Sequence, residues 1–264
     1  MDAPVLLQVD GPIARVTLNR PTVLNALEPG MAAALLDVLQ RLERDPSVRV
    51  VVLNGAGAAF MAGGDVKMFA SLAPLPAEER RRKIIGLIST FHAIVLTLRR
   101  MPQPVIASVH GACAGGGLSL MAACDLVVAA ASASFSLAYV RIATSPDGGS
   151  THFLPRAIGQ KRAMELALLS DRFDGARAEA IGLINRSVPD DRLAAETTAM
   201  AERLAKGPRE AIARTKRLIR DSFEQPIEVQ LQAELESFAE MSTTADFVEG
   251  VTAFAEKRAA NFEP

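Results

Sequence analysis

Two loops rich in glycine and alanine are the parts of this sequence best suited to hold a small ligand against the backbone. One spans residues 60–67 and the other spans residues 111–117, and each follows an apolar segment typical of a buried strand. Side chains this small let a ligand lie directly on the main chain. If a helix begins at the triple glycine of residues 115–117, its free N–H groups and its dipole favour negative charge there. Two converging loops can then donate two N–H groups to one oxyanion; tight turns packed under helices are the alternative.

One acidic side chain, Asp147, stands in a proline- and glycine-rich segment at residues 145–151. The backbone of such a segment can approach a ligand closely. A turn or a helix N-cap is the alternative interpretation of this aspartate. His92 lies in a helical segment beside Phe91 and Ile94, a setting typical of a core or interface histidine.

Composition excludes several classes of protein. The 264 residues include 29 basic and 30 acidic side chains, and this balance excludes a general electrostatic nucleic-acid binder. Two cysteines cannot form a disulfide framework, and with three histidines they make a structural metal site unexpected. Apolar runs long enough for a membrane span and the pattern of a signal peptide are both missing. We therefore expect a cytoplasmic enzyme that binds no metal, no membrane and no nucleic acid.

Strand and helix patterns alternate up to about residue 150, and only helical patterns follow. The α/β part of the chain covers about the first 190 residues. This order predicts an α/β body followed by a helical tail that packs on the body or on a neighbouring subunit. Strands are expected at residues 6–10, 13–18, 48–53, 104–109, 125–130 and 134–137, and helices at 31–44, 78–100, 163–169, 177–181, 192–205, 208–222, 227–241 and 246–260.

Taken together, these motifs resemble the crotonase superfamily, also called the enoyl-CoA hydratase/isomerase family. The resemblance covers nearly the whole chain, and the order of its motifs is highly specific. It is carried by residues 18–21, 24–27, 62–67, 104–111, 114–117, 123–126, 155–159, 249–250 and 254–258.

The resemblance implies a spiral of ββα units with a helical C-terminal trimerisation region, and assembly as a homotrimer or a dimer of trimers. It divides the chain into a core of residues 1–195 and a C-terminal region of residues 196–264. It also implies that the substrate is an acyl-CoA thioester and that no further cofactor is used. The backbone N–H groups of Gly64 and Gly116 match the family's oxyanion hole. Residues matching the family's CoA-binding surface are Val23, Leu24, Ala26, Ala62, Asp65, Val66 and Gly115, together with Lys67 and, from a neighbouring subunit, Lys257 near the phosphates.

Two positions depart from the hydratases of the family. Those enzymes carry a pair of glutamates, and here the corresponding residues are Ser119 and Tyr139. Hydration of a 2-enoyl thioester needs groups that activate water and handle a proton at Cα. Neither serine nor tyrosine is a good base at neutral pH, since tyrosine titrates near ~10. Hydratase activity is therefore not expected.

The surroundings of Asp147 resemble the 1,2-epoxyphenylacetyl-CoA isomerase branch of the family, in which an aspartate moves a proton between carbons of an enoyl-CoA. One base is enough for this reaction, because it takes a proton at Cα and returns it at Cγ. Burial among apolar groups would raise the pKa of such a carboxylate and suit it to the task. We therefore expect an enoyl-CoA isomerase, in fatty-acid metabolism or in the degradation of aromatic compounds.

Two other hypotheses remain open. In an aryl-CoA dehalogenase, which this chain resembles less, Asp147 would be a nucleophile and His92 would activate water, with Tyr139 in the aromatic pocket. A member of the fold that binds acyl-CoA without turning it over is the third hypothesis, suggested by the absence of the glutamate pair.

Overall fold

The N-terminal hairpin shows how local sequence sets the first elements. Strands β1 (Val5–Asp10) and β2 (Ile13–Leu18) pair antiparallel, and Gly11 turns the chain between them with a φ of +53°. Along β2, fully buried side chains alternate with half-buried ones, as expected for a strand with one face on the core. The computed structural model describes residues 3–262.

Within residues 3–262 the chain forms nine strands and eleven α-helices. The remaining strands are β3 (Val50–Gly55), β4 (Ala59–Met61), β5 (Val105–Val109), β6 (Ala112–Ala114), β7 (Leu126–Ala130), β8 (Ser134–Ser136) and β9 (Arg186–Val188). The helices are α1 (Pro29–Glu43), α2 (Val66–Leu72), α3 (Ala77–Arg100), α4 (Gly116–Ala122), α5 (Ser150–Ile158), α6 (Gln160–Leu169), α7 (Gly175–Ala180), α8 (Leu193–Ala205), α9 (Arg209–Asp221), α10 (Ile227–Met241) and α11 (Ala245–Ala255).

The strands form two sheets that share one winding. The larger sheet has the order β1-β2-β3-β5-β7-β9 and is parallel except for the first pair, and the smaller sheet has the order β4-β6-β8. Each successive pair of strands, β3 with β4, β5 with β6 and β7 with β8, contributes one strand to each sheet. This repetition confirms the predicted spiral of ββα units. It also places the ends of β4, β6 and β8 side by side.

The core lies against both faces of the larger sheet. β3 and β5 are buried along almost their whole length, which explains their continuous apolar sequences. α1 packs beside α3 on this core, and α8 also packs on the sheet, where Ser108 Oγ lies 3.0 Å from Thr197 Oγ1. The predicted division of the chain at residue 195 falls within α8, and it stays a prediction.

Most predicted elements are confirmed, and β2 and α10 agree in both bounds. The prediction that no strand follows residue 150 is wrong, because β9 pairs with β7 and forms the edge of the larger sheet. β9 has three residues, none of them buried, so it lacks the apolar run that marks a strand. The helices α2 and α5 were also not predicted. α2 has only seven residues, and α5 contains Pro155, which interrupts a helical pattern.

The C-terminal helices carry many apolar side chains that the described chain leaves uncovered. Phe238 on α10 is 71% exposed and Phe254 on α11 is 87% exposed. Patches of this kind mark surfaces that contact other molecules. Within residues 3–262, no helix is both long enough and apolar enough to cross a lipid bilayer.

Candidate active site

The two glycine-rich loops meet backbone to backbone. β4 and β6 are parallel neighbours in the smaller sheet, so the loops that follow them leave the sheet side by side. A Cβ built on Gly63 would lie 3.0 Å from the carbonyl oxygen of Ala114 and 3.5 Å from the nitrogen of Gly116. Gly63 has a φ of +105° and Gly115 a φ of +50°, conformations that glycine adopts readily. The predicted convergence of the loops is therefore confirmed, and side chains would prevent it.

Two N–H groups at this junction have no acceptor. A helix does begin within the triple glycine: Gly116 is the first residue of α4, so its N–H has no intrahelical partner. The N–H of Leu27 donates to Gly63 O at 2.7 Å and that of Asp65 donates to Leu27 O at 2.9 Å, while Gly64 lies between these bonds. Among residues 3–262 no carbonyl accepts from the N–H of Gly64 or of Gly116. The junction thus offers two unused backbone donors.

The segment before α1 holds the first loop in place. Asn25 is fully buried, and its Nδ2 donates to the carbonyl oxygens of Ala59 at 2.7 Å and of Phe60 at 3.2 Å. Leu24 O accepts from Ala62 N at 3.0 Å. These bonds bring residues 23–26, which were predicted to contact CoA, beside the loop of residues 60–67.

The carboxylate of Asp65, a predicted CoA contact, is already occupied within the chain. It caps α2 by accepting from the N–H groups of Lys67 at 3.1 Å and Met68 at 3.2 Å, and it pairs with Arg20 at 3.1 Å. Burial raises the pKa of Asp65, but these bonds outweigh burial and hold the pKa below its ordinary value. Both oxygens of this carboxylate therefore already have partners within the chain.

Asp147 lies in the turn that leads into α5. The Tyr139 hydroxyl donates to Asp147 Oδ1 at 2.5 Å, and Ser119 Oγ lies 2.9 Å from the same hydroxyl. A Cβ on Gly148, whose φ is +60°, would come within 2.3 Å of Phe91 Cε1 and 2.8 Å of Ser119 Cβ. The turn therefore packs directly on α3 and α4. Of the two positions that depart from the glutamate pair of hydratases, Tyr139 bonds directly to the remaining carboxylate, and Ser119 is linked to it only through Tyr139.

The environment of Asp147 changes how it binds protons. Burial raises the pKa of Asp147, and the hydrogen bond from Tyr139 and the nearby imidazole of His92 offset part of that rise. Burial also raises the pKa of Tyr139, and the neighbouring Asp147 carboxylate raises it further. Tyr139 is therefore a stable donor, and Asp147 is an acid whose affinity for protons is increased.

His92 is brought close to Asp147 but not into the core. Its ring is exposed, and Nε2 accepts from the N–H of Gly148 at 3.4 Å. Of the two settings expected for His92, the core is wrong, because α3 turns Phe91, which is 2% exposed, toward the core instead, and the interface stays a prediction. Phe91 belongs to the site, because its ring lies 3.7 Å from a Cβ built on Gly116.

A second ring, that of Phe69 on α2, covers Gly64. A Cβ on Gly64 would lie 2.6 Å from Phe69 Cε2, so a larger residue at position 64 would displace this ring. α2 was not predicted, so the contact between Phe69 and Gly64 becomes visible only in the structure. The two rings flank the junction from α2 and α3 and supply apolar walls.

The predicted phosphate-binding lysines lie apart from each other in the chain. Lys67 is exposed in the first turn of α2, beside the equally exposed Val66. Lys257 follows the end of α11, and within residues 3–262 no hydrogen bond or ion pair joins it to either loop. Its role beside CoA stays a prediction. The described residues contain no group of three or more His, Cys, Asp or Glu side chains that could hold a metal ion.

Comparison with known proteins places this geometry in a family. The sequence model for enoyl-CoA hydratase/isomerase matches residues 8–264. A 1,2-epoxyphenylacetyl-CoA isomerase from Escherichia coli (strain K12) is 34% identical over 258 residues, which are 98% of this chain and 97% of that protein. A protein from Rhodobacter capsulatus named as a probable enoyl-CoA hydratase is 38% identical over 250 residues, 95% of this chain and 94% of that one.

Solved structures agree with this placement. The crystal structure of an enoyl-CoA hydratase from Polaromonas sp. JS666 superimposes with a TM-score of 0.91 at 32% identity, covering 98% of this chain and 99% of that chain. The fold is therefore the crotonase fold, and the chain is an enzyme of the enoyl-CoA hydratase/isomerase family.

Proposed function

We propose that this enzyme shifts a double bond in an enoyl-CoA thioester, with Asp147 as the single acid and base. The observation that supports this most is that the residues beside Asp147, Ser119 and Tyr139, are hydroxyls where hydration would need carboxylates. Among residues 3–262, Asp147 forms no ion pair with a lysine or arginine. It is thus a half-buried carboxyl free to gain and lose a proton.

The thioester would bind at the junction of the two loops. Gly64 and Gly116 would donate their free N–H groups to the thioester oxygen, which gains negative charge when a proton leaves Cα. Each such donor contributes roughly 10²–10³-fold to the rate. The rest of the CoA moiety would extend over residues 23–26 and 62–67 and over Gly115, with Lys67 and a neighbouring subunit's residue 257 near the phosphates.

The reaction balances with one base. The Asp147 carboxylate removes a proton from C2 of a 3-enoyl-CoA, and the electrons of that C–H bond enter the conjugated system and place a negative charge on the thioester oxygen. Asp147 then returns the proton to C4. The double bond moves from C3–C4 to C2–C3, and the carboxylate is regenerated. No cofactor other than the CoA thioester, which is the substrate, is needed. We further propose a cytoplasmic homo-oligomer, since the apolar faces of α10 and α11 need cover.

The test is conversion of a 3-enoyl-CoA, followed by the absorbance of the conjugated 2-enoyl product. We expect the wild-type enzyme to convert it and Asp147→Asn to bind the thioester without turnover. Asp37→Asn, which changes an exposed carboxylate on α1, should retain full activity. Full activity of Asp147→Asn would exclude this proposal. Hydration of a 2-enoyl-CoA, measured in parallel, should be slower than isomerisation.

A second function is favoured by one observation, the closeness of His92 to the turn that carries Asp147. In an aryl-CoA dehalogenase, the Asp147 carboxylate would add to the halogen-bearing ring carbon, and halide would leave with the electrons of the carbon–halogen bond. His92 would then take a proton from the water that hydrolyses the ester. Mass spectrometry after mixing with a 4-halobenzoyl-CoA should show the covalent ester. Its absence excludes this function, and binding without turnover of either substrate would favour a non-catalytic member.

A further inference from the structure

A line of three side chains joins α4 to the turn that carries Asp147. Ser119 Oγ lies 2.9 Å from Tyr139 OH, which lies 2.5 Å from Asp147 Oδ1. Ser119 is fully buried, while Tyr139 and Asp147 are half-buried. The three residues belong to α4, to the short 3₁₀ helix Tyr139–Ile142 and to the turn before α5. The contacts therefore link three separate segments of the spiral.

The direction of the hydrogen bonds follows from the carboxylate. An ionised carboxylate only accepts, so the Tyr139 hydroxyl must donate to it. The phenolic oxygen then accepts from the Ser119 hydroxyl, whose other acceptor, Gly115 O, is more distant at 3.4 Å. The order of donation is serine to tyrosine to aspartate.

The two oxygens of Asp147 are not equivalent. Oδ1 is occupied by Tyr139, whereas Oδ2 receives no hydrogen bond from any group in residues 3–262. The main chain beside it is also fixed, because His92 Nε2 accepts from the N–H of Gly148 and the glycine packs on Phe91. We propose that Ser119 and Tyr139 are a positioning pair that fixes the Asp147 carboxylate and leaves Oδ2 as the oxygen that exchanges protons with the substrate. This inference rests on the proposed isomerase function.

A fixed Oδ2 has a consequence for the fate of the proton. The same oxygen takes the proton from C2 and returns it to C4 on one face of the substrate. Part of a deuterium label at C2 should therefore appear at C4 of the product before it exchanges with water. A carboxylate that rotates exposes its proton to solvent and loses more of the label.

The positioning pair of Ser119 and Tyr139 also affects how kcat/KM depends on pH. The titratable groups that face Asp147 are Tyr139, from the 3₁₀ helix, and His92, from α3. Burial raises the pKa of Asp147 and the Tyr139 hydrogen bond lowers it, so removal of the phenolic hydroxyl raises this pKa further. The base must be ionised to act. The acidic limb of the kcat/KM profile should therefore move to higher pH in Tyr139→Phe.

The experiment compares Tyr139→Phe and Ser119→Ala with Ser108→Ala. The control loses a buried hydrogen bond of similar length, 3.0 Å, between two hydroxyl groups that lie beneath α8 and outside the site. We expect kcat in Tyr139→Phe to fall about ten- to hundredfold, the effect of losing a hydrogen bond to a charged group, with KM for the thioester nearly unchanged. Label transfer should fall as well. Ser119→Ala should show smaller changes in the same direction, and Ser108→Ala should show none.

A spectroscopic readout tests the contact between Tyr139 and Asp147 independently of activity. The sequence contains one tyrosine and no tryptophan, so its tyrosine fluorescence reports Tyr139 alone. The adjacent carboxylate should quench this emission, and Asp147→Asn should increase it. Unchanged emission would contradict the contact in solution.

Two outcomes of the kinetic experiment overturn the proposal. An unaltered rate, pH profile and label transfer in Tyr139→Phe would show that the pair positions nothing. The other outcome is a Tyr139→Phe variant that is as inactive as Asp147→Asn while it binds the thioester with unaltered affinity. That result would show that the phenol itself transfers protons. Activity that survives in Asp147→Asn instead overturns the proposed function, so the two failures are distinguishable.

Discussion

The turn at Gly148 has no space for a side chain, and this makes Gly148→Ala a sharp test of how the site is assembled. The added methyl would lie 2.3 Å from Phe91 Cε1 and 2.8 Å from Ser119 Cβ, and the φ of +60° is already unfavourable for alanine. The backbone conformation costs about 1–2 kcal/mol. Overpacking against a buried ring costs about 1–3 kcal/mol more. The variant should lose roughly 2–5 kcal/mol of unfolding free energy.

Gly11→Ala is the matched control. Gly11 has a φ of +53°, yet no atom among the described residues lies within 4 Å of a Cβ built there. This variant should lose only the conformational share, about 1–2 kcal/mol. Urea denaturation of both variants measures the difference. Equal losses would refute the reasoning, because they would show that Phe91 and Ser119 yield to the methyl group without strain.

Activity should respond more strongly than stability. The easiest relief of the clash is movement of the Asp147 turn, and a displacement of about 1 Å in a catalytic group costs about 10²-fold in rate. We therefore expect kcat for 3-enoyl-CoA isomerisation to fall at least a hundredfold in Gly148→Ala and to stay normal in Gly11→Ala. Replacing Phe91 with leucine removes the ring atom that clashes, so Gly148→Ala should cost less stability in that background.

Two further predictions concern polar groups that join separate segments. Asn25→Ala removes the amide that bonds to Ala59 O and Phe60 O, and it should cost about 2–4 kcal/mol of unfolding free energy because two buried carbonyls lose their donor; a loss under 1 kcal/mol in urea denaturation would contradict this. Lys216→Met removes the ammonium that lies 2.7 Å from Asp125 Oδ2, and it should cost about 1.5–3 kcal/mol at neutral pH, the contribution of a hydrogen bond to a charged group. Burial already raises the pKa of Asp125, and loss of Lys216 raises this pKa further. The folded variant then holds its proton more tightly than the unfolded chain does. Its free energy of unfolding should therefore fall as pH rises from the unfolded pKa to the folded pKa, and it should recover in acid.

Local patterns were enough to predict most of the large elements. The apolar run of β3 and the periodicities of α1 and α10 are each explained by burial against neighbours in the fold. Some short elements could not be predicted in this way. β9 and α2 have too few residues for a pattern to emerge, and they form because β7 offers an open edge and because Asp65 caps the first turn of α2.

The site was predictable in its parts but not in its contacts. Small side chains indicated both loops, and the helix start at Gly116 follows from the triple glycine. The line from Ser119 through Tyr139 to Asp147 depends on residues 8 to 28 positions apart that come together only when α4 and α5 pack. The sequence showed two missing glutamates there, and only the structure shows that Tyr139 bonds to Asp147 and Ser119 to Tyr139.

The donors at Gly64 and Gly116 belong to the backbone, whereas the proton-handling groups are side chains. A substitution can change the residues at positions 119, 139 and 147 one at a time, but no substitution other than proline removes an amide N–H. In the proposed reaction, single replacements at positions 119, 139 and 147 would therefore change the proton transfer and leave the two backbone donors in place. A chain built this way can exchange one reaction for another through a few side-chain replacements without first losing its hold on the substrate.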